Sequence, residues 1–297
     1  MMVKFDIKSV SVQLLALVLI VSIVPVAVLT YSFSGTMTSD KYGQFQEKIK
    51  DVSHIAINAY EDQVDAVHDV ALKVCQDPAM VSAVERGDRA EVKRIVDQYK
   101  RDSSNVDILT VTDSHAVVLA RSTSTANGDV TTNVNVLDAI SGRETTGTEI
   151  IPEAGLKSNG LDGKAKATGT SDGLGILSAM PIRNKNGTII GSVYVFTIQN
   201  GNNEFVDGIT KKSGAICTIF QGDTRIATNL KDDNGNRVVG TKAGSDVVAS
   251  VLNNGQTVEK ELQLYGTPVY VHYEPIIDTQ GKKVGMLFVG YDMTADL

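Results

Sequence analysis

Three arginines, one histidine and two tyrosines have chemistry to offer beyond packing. Arg121 ends the run VVLAR, Arg225 stands in TRIAT, Arg183 follows a Pro-Ile pair, and Tyr194 lies in SVYVF. Tyr270 and His272 are two apart in VYVHYE, so on a strand they share a face. A guanidinium is a rigid fork of donors that can grip a carboxylate with two parallel bonds. Tyrosine and histidine add single polar contacts from a largely apolar body. These residue types can together fix a small acid in a mostly apolar pocket. Arg121, Arg183, Tyr194, Arg225, Tyr270 and His272 are therefore the ligand-binding candidates, with His115 beside those of the first half and Tyr265 and Thr218 as weaker ones. Each also has an ordinary use: a strand-end arginine pairs with a loop aspartate, and aromatics pack on sheet faces. An amino acid, a small organic acid and a polyamine all stay open as ligands, and the arginines favour an acid.

Catalytic chemistry finds no footing. There is no P-loop, nucleophile elbow or HExxH. Gly173 and Gly175 begin a GxG, but Ser178 stands where a third glycine belongs. The run Asp232-Asp233-Asn234-Gly235-Asn236 resembles a calcium loop, yet its sixth and twelfth positions are Arg237 and Ala243 instead of Gly and Glu. It reads as a turn. The two cysteines, Cys75 and Cys217, have no metal-ligand spacing and read as small buried hydrophobes. No enzyme, metal or cofactor is expected. A net charge of −7 argues against a nucleic-acid partner.

The elements that must position these candidates begin with residues 10–31, VSVQLLALVLIVSIVPVAVLTY, an uncharged run long enough to span a bilayer. Lys4 and Lys8 precede it against one acid, Asp6, so residues 1–9 are expected in the cytoplasm and the rest outside. A cleaved signal peptide would be shorter and end in a small-x-small site. It too would leave the remainder outside. Residues 36–76 hold no proline and a single glycine, with apolar residues stepping by three and four from Tyr42 through Phe45, Ile49, Val52 and Ala56. That predicts a long stalk helix. A second apolar row (Ile55, Val64, Val67, Ala71, Val74) leaves two readings open: a homodimer through this helix, or one helix covering its own sheet.

An internal repeat organises the remainder. Pro181-Ile182, Gly187, Gly191 and the strand SVYVF recur 94 residues later as Pro275-Ile276, Gly281, Gly285 and MLFVG. Each copy predicts a β-hairpin, its first glycine in the turn at positive φ and its second where backbones approach closely. Upstream, residues 108–121 and 215–228 each read strand, turn, strand, with helices expected at 136–141 and 245–253. Residues 145–172, rich in Gly, Thr and Lys, read as a long loop over the first half, and 201–203 as the linker. Each half is thus a small antiparallel sheet with helices on one face, a PAS-like layout.

The second half, through FQGDTRIATN (220–229), VGT (239–241), YEPI (273–276) and VGMLFVG (284–290), resembles the fused Cache 3/Cache 2 type of sensor region. That type is found in methyl-accepting chemotaxis proteins and sensor histidine kinases. The first half resembles more generic single-Cache patterns through VTD (111–113) and LARS (119–122). The resemblance implies an α+β protein with a transmembrane helix, a stalk helix and two tandem modules, membrane-distal at 77–200 and membrane-proximal at 201–297. It implies an extracytoplasmic, dimeric sensor of a small molecule, bound between sheet and overlying loops, that signals by shifting membrane helices. The family also carries a second membrane helix and an output domain, so the resemblance implies that the chain is a fragment of a receptor, or else a receptor-like protein that has lost its output. A stand-alone anchored binding protein, or an anchored dimer without ligand, are the other readings.

Overall fold

The sequence repeat is a repeat in three dimensions. The computed structural model describes the backbone of residues 10–294 and the side chains of residues 42–294. The expected cytoplasmic segment 1–9 and the side chains of the expected membrane segment 10–31 lie outside the described residues. Among the described residues no helix is long and apolar enough to cross a membrane. The chain divides into two compact units, Met1–Lys48 and Ile49–Leu297. Apart from residues 10–48 of the first helix, the second carries everything that follows.

The first sheet contains β1 (Ile108–Asp113), β2 (Val118–Arg121), β3 (Thr145–Ile151), β4 (Gly173–Arg183) and β5 (Ile189–Ile198), in the order β2-β1-β5-β4-β3. The second contains β6 (Ile216–Gln221), β7 (Thr224–Thr228), β8 (Val258–Leu264), β9 (Thr267–Ile277) and β10 (Lys283–Asp292), in the order β7-β6-β10-β9-β8. The orders are identical, and every pairing is antiparallel. The repeated glycines do what their positions predict. Gly187 and Gly281, in the β4–β5 and β9–β10 turns, have φ of +80° and +84°. A Cβ on Gly191 would lie 2.1 Å from the Thr112 carbonyl oxygen, and one on Gly285 would lie 2.1 Å from that of Phe220.

Helix α1 (Val10–Gln76) includes the expected stalk. Ile49, Val52, Ala56, Tyr60, Val67, Val70 and Val74 are buried along one face. The opposite row, Asp51, His54, Asn58, Glu61, Asp65 and Asp69, is exposed. From Ile49 onward the helix is therefore amphipathic, with its apolar stripe turned to its own fold. Tyr60 and His68 reach β3: the Tyr60 hydroxyl shares a hydrogen bond with Thr148 Oγ1 at 2.9 Å, and His68 Nδ1 lies 3.2 Å from Thr146 Oγ1. Helices α2 (Pro78–Glu85) and α3 (Arg89–Asp102) follow, capped by Asp77 and Asp88, which accept from the amides of Ala79 and Glu91. Over the other face of the first sheet lie α4 (Val134–Ile140), α5 (Glu153–Ser158) and α6 (Asp162–Ala167), which share a core with Tyr194, Phe196 and Leu177.

The expected loop at 145–172 is a correction. Its first seven residues are the edge strand β3, and the rest holds α5 and α6. The strand (TTGTEII) carries few apolar residues because its outward hydroxyls meet α1 rather than a hydrophobic layer. The two short helices are anchored by single buried residues, Leu156 and Ala165, too few to show a helical period. In the second half, α7 (Asn203–Ser213) lies on β6 and β7. A helical turn, α8 (Ser245–Val247), runs into a π-helical stretch at Val248–Asn253 that packs on β9 and β10. Gly255, with φ of +72°, follows it as expected of a helix stop. Asp232 Oδ1 accepts from the amides of Asn234 and Asn236, so that segment is a side-chain-closed turn. Cys75 and Cys217 are free and buried. Burial, and then the charge of Glu144, pushes the Cys75 thiol up to about 11.

Candidate functional site

Strand register decides which candidates can meet, because side chains alternate between faces. On the first sheet Arg121 pairs with Thr110, Thr110 with Tyr194, Tyr194 with Ala179, and Ala179 with Thr145. These five form one row on the α4 face. Arg121 and Tyr194 are therefore brought together, two strand spacings or about 10 Å apart. Arg121 is already paired: its Nη2 donates to Asp129 at 2.7 Å, and this bond holds the Asp129 carboxyl below its usual range. Tyr194 is buried, which raises its hydroxyl pKa. The charge of Glu149 adds to that shift, and a hydrogen bond with Asn133 opposes it. Arg183 stands apart, exposed at the turn, where its Nη1 donates to the Gly187 carbonyl at 3.1 Å. It lies four residues along β4 from Ala179, about 13 Å away. His115 is exposed in the β1–β2 turn.

Two residues that sequence reasoning passed over complete this face. Glu149, on β3, accepts a hydrogen bond from Asn135 of α4. Burial raises the Glu149 pKa, Asn135 opposes the shift, and Asp278 adds to it. Glu149 lay hidden because 145–151 reads as loop in the sequence, and Asn135 because it stands one residue before the helix expected at 136–141. A carboxyl with a raised folded-state pKa contributes stability below its ordinary value and loses it as pH rises through the raised value. Glu149→Gln should therefore melt higher than the native chain at pH 7.5. The difference should vanish below about pH 4, where an ordinary glutamate is protonated. Melting curves at the two pH values check this, and equal melting at pH 7.5 would show that solvent screens the carboxylate.

On the second sheet Arg225 pairs with Phe220, and Phe220 with Met286, on the face covered by α8 and the π-helical stretch. Arg225 is only 9% exposed. Its Nη1 donates to Thr241 Oγ1 at 2.7 Å and to the Lys242 carbonyl at 3.3 Å. Its Nε is buried without a partner. The guanidinium stands 5.0 Å from the centroid of the Phe220 ring, within cation–π range. Burial lowers the Arg225 pKa, while Tyr273 and Tyr265 favour its charge. Burial in turn pushes the Tyr273 hydroxyl up to about 12, with Arg225 opposing. Thr218 is buried in the same sheet, and Tyr265, at φ of +49°, is half-exposed beyond β8.

Tyr270 and His272 do share a face, as expected, but it is not the face of Arg225. Val271 and Tyr273 belong to the α8-side core, so the residues alternating with them point the other way. There His272 Nδ1 lies 3.0 Å from Glu259 Oε1, and its Nε2 lies 3.3 Å from Glu274 Oε2. The second-sheet candidates are thus split by the sheet itself. The 810 Å³ cleft under α1, lined by Gln63, Asp107, Lys164, Asn202, Phe205 and others, holds none of the six candidates. Among the described residues no cluster of His, Cys, Asp or Glu has metal-site geometry.

A family described as "Single cache domain 3" matches residues 196–296, the last third of the chain. No curated protein matches the sequence. Among solved structures, the extracellular domain of vpHK1S-Z8, described as a histidine kinase, superposes with a TM-score of 0.52 at 8% identity, covering 84% of this chain and 93% of that one. The periplasmic domain of LuxQ from Vibrio cholerae gives 0.50 at 13% identity, covering 82% and 98%. An extracellular ligand binding receptor from Desulfohalobium retbaense DSM5692 gives 0.47 at 14% identity, covering 84% of this chain but only 40% of that longer one. The fold is α+β and PAS-like, two antiparallel sheets with helices, similar to that of the LuxQ periplasmic domain.

Proposed function

We propose that this chain is the extracytoplasmic sensing region of a membrane-anchored signal transducer, a chemotaxis transducer in the first instance. In this reading residues 10–31 anchor it and everything after them lies outside the cytoplasm. The two sheets form a double Cache arrangement, membrane-distal and membrane-proximal, that binds a small molecule and passes the event along α1. It is a binding module without catalysis or cofactor. The same arrangement would serve the sensor of a histidine kinase, which differs only in output. The observation that supports it is the doubled β2-β1-β5-β4-β3 topology, with a Cache family match over one copy.

The ligand favoured by the residues is a small carboxylate or amino acid, with Arg225 as its anchor in the second sheet. A homodimer through α1 would pair outside residues 51–69, where the outward row carries acids that would repel one another across a parallel contact. A thermal-shift panel of small organic acids, amino acids and polyamines tests the reading. A saturable rise in melting temperature with an acid or amino acid is expected. A flat response across the panel would favour an anchored dimer that binds nothing.

A further inference from the structure

Three structural layers converge on two adjacent residues of β3. Thr148 points to α1, where its hydroxyl bonds with that of Tyr60 at 2.9 Å in a buried setting. Its backbone carbonyl accepts from the Thr279 amide at 3.2 Å, so the β9–β10 turn of the second sheet docks on the edge of the first. Glu149, next along the strand, points to the opposite face, where Asn135 donates to it and Tyr194 senses its charge. Gly147 completes the contact: at φ of +151° it lets the turn approach, and a Cβ there would lie 3.1 Å from Thr279 Cγ2. Tyr60 also crosses to the second half through its ring, edge-on to Phe205 of α7 with centroids 6.1 Å apart.

We infer that β3 is a coupling strand, a two-faced edge through which the α4-side surface of the first sheet, helix α1 and the β9–β10 turn move as one unit. An exposed sheet edge is normally blunted or covered. Here the cover is the other repeat, so a shift of β3 must displace the turn, α1 or both. A displacement of Glu149 by anything occupying the space near Asn135 and Tyr194 travels one residue to Thr148, which holds both neighbours. Its use in signalling rests on the sensor reading; the mechanical coupling does not.

Hydrogen–deuterium exchange on the full chain in detergent micelles, without ligand, tests the coupling. Tyr60→Phe removes one hydroxyl from α1, whose hydrogen bond goes to Thr148 and not to the β9–β10 turn. The Thr279 amide should nevertheless exchange about fivefold faster, the factor one hydrogen bond is worth. Thr148→Val, which removes the partner hydroxyl, should give the same acceleration, and the double variant should add little to either. Faster exchange confined to α1 near Tyr60, with the Thr279 amide unchanged, would overturn the inference. If Thr148→Val fails to fold, Tyr60→Phe decides alone. Because no ligand enters the experiment, a negative result leaves the sensor reading untouched, and a flat ligand panel leaves the coupling untouched.

Discussion

Gly285→Ala should destabilise the protein by about 3 kcal/mol or more, and Gly191→Ala by a similar amount, at the upper end of overpacking costs. The added methyl would meet a carbonyl oxygen at 2.1 Å in both cases, Phe220 in one and Thr112 in the other. The obstacle is backbone, not the end of a flexible side chain. Relief therefore requires opening the β10–β6 or β5–β1 ladder, the central pairing of each sheet. For a unit of this size the expected loss is about 6–12 °C in melting temperature. Gly187→Ala and Gly281→Ala are the internal controls. They have positive φ but open space around the missing Cβ, so only the left-handed backbone penalty applies, about 1–2 kcal/mol. Urea denaturation of the four variants should rank the strand-start glycines as more damaging than the turn glycines in both halves. The reverse ranking would mean that the strands separate at those points without cost.

Those four glycines also show what could be read from the chain in advance. A repeat with fixed glycine spacing constrains backbone geometry directly, because only backbone sterics explain why a side chain is missing there. Both hairpins, the doubled sheet and the turn at Asp232 follow from such local rules. What escaped was set by tertiary context. Strand β3 has hydroxyls where a core strand has valines, since its partners are Tyr60, His68 and a turn from the other half. Helices α5 and α6 are too short for a period. Among the candidates, register could have separated Tyr270 and His272 from Arg225, but only once the core face of β9 was known. The pairing of Arg121 with Asp129 joins a strand end to a loop eight residues on, and it was legible only as the general habit of strand-end arginines.

Arg225→Met should abolish the stabilisation that a carboxylate ligand confers while leaving the fold intact. The contrast with Arg121 carries the expectation. An acid arriving at Arg121 must displace Asp129, which already holds that guanidinium at 2.7 Å. Arg225 is a cation in a dry setting with a hydroxyl, a carbonyl and a ring as neighbours, and one of its N–H donors is unused. Among the described residues no carboxylate pairs with it. Burying a charge with only neutral partners is costly, and an incoming anion recovers part of that cost. Methionine keeps most of the aliphatic volume against Phe220 and removes the charge. At a ligand concentration of about 100 times Kd, the native protein should gain about 2.7 kcal/mol, and the variant none. Arg121→Met should keep most of the shift, since its charge is already neutralised. The comparison needs three melting curves with the same acid. An undiminished shift in Arg225→Met would remove the second sheet as the acid's site, and a shift lost only in Arg121→Met would move that site to the Arg121–Tyr194 row of the first.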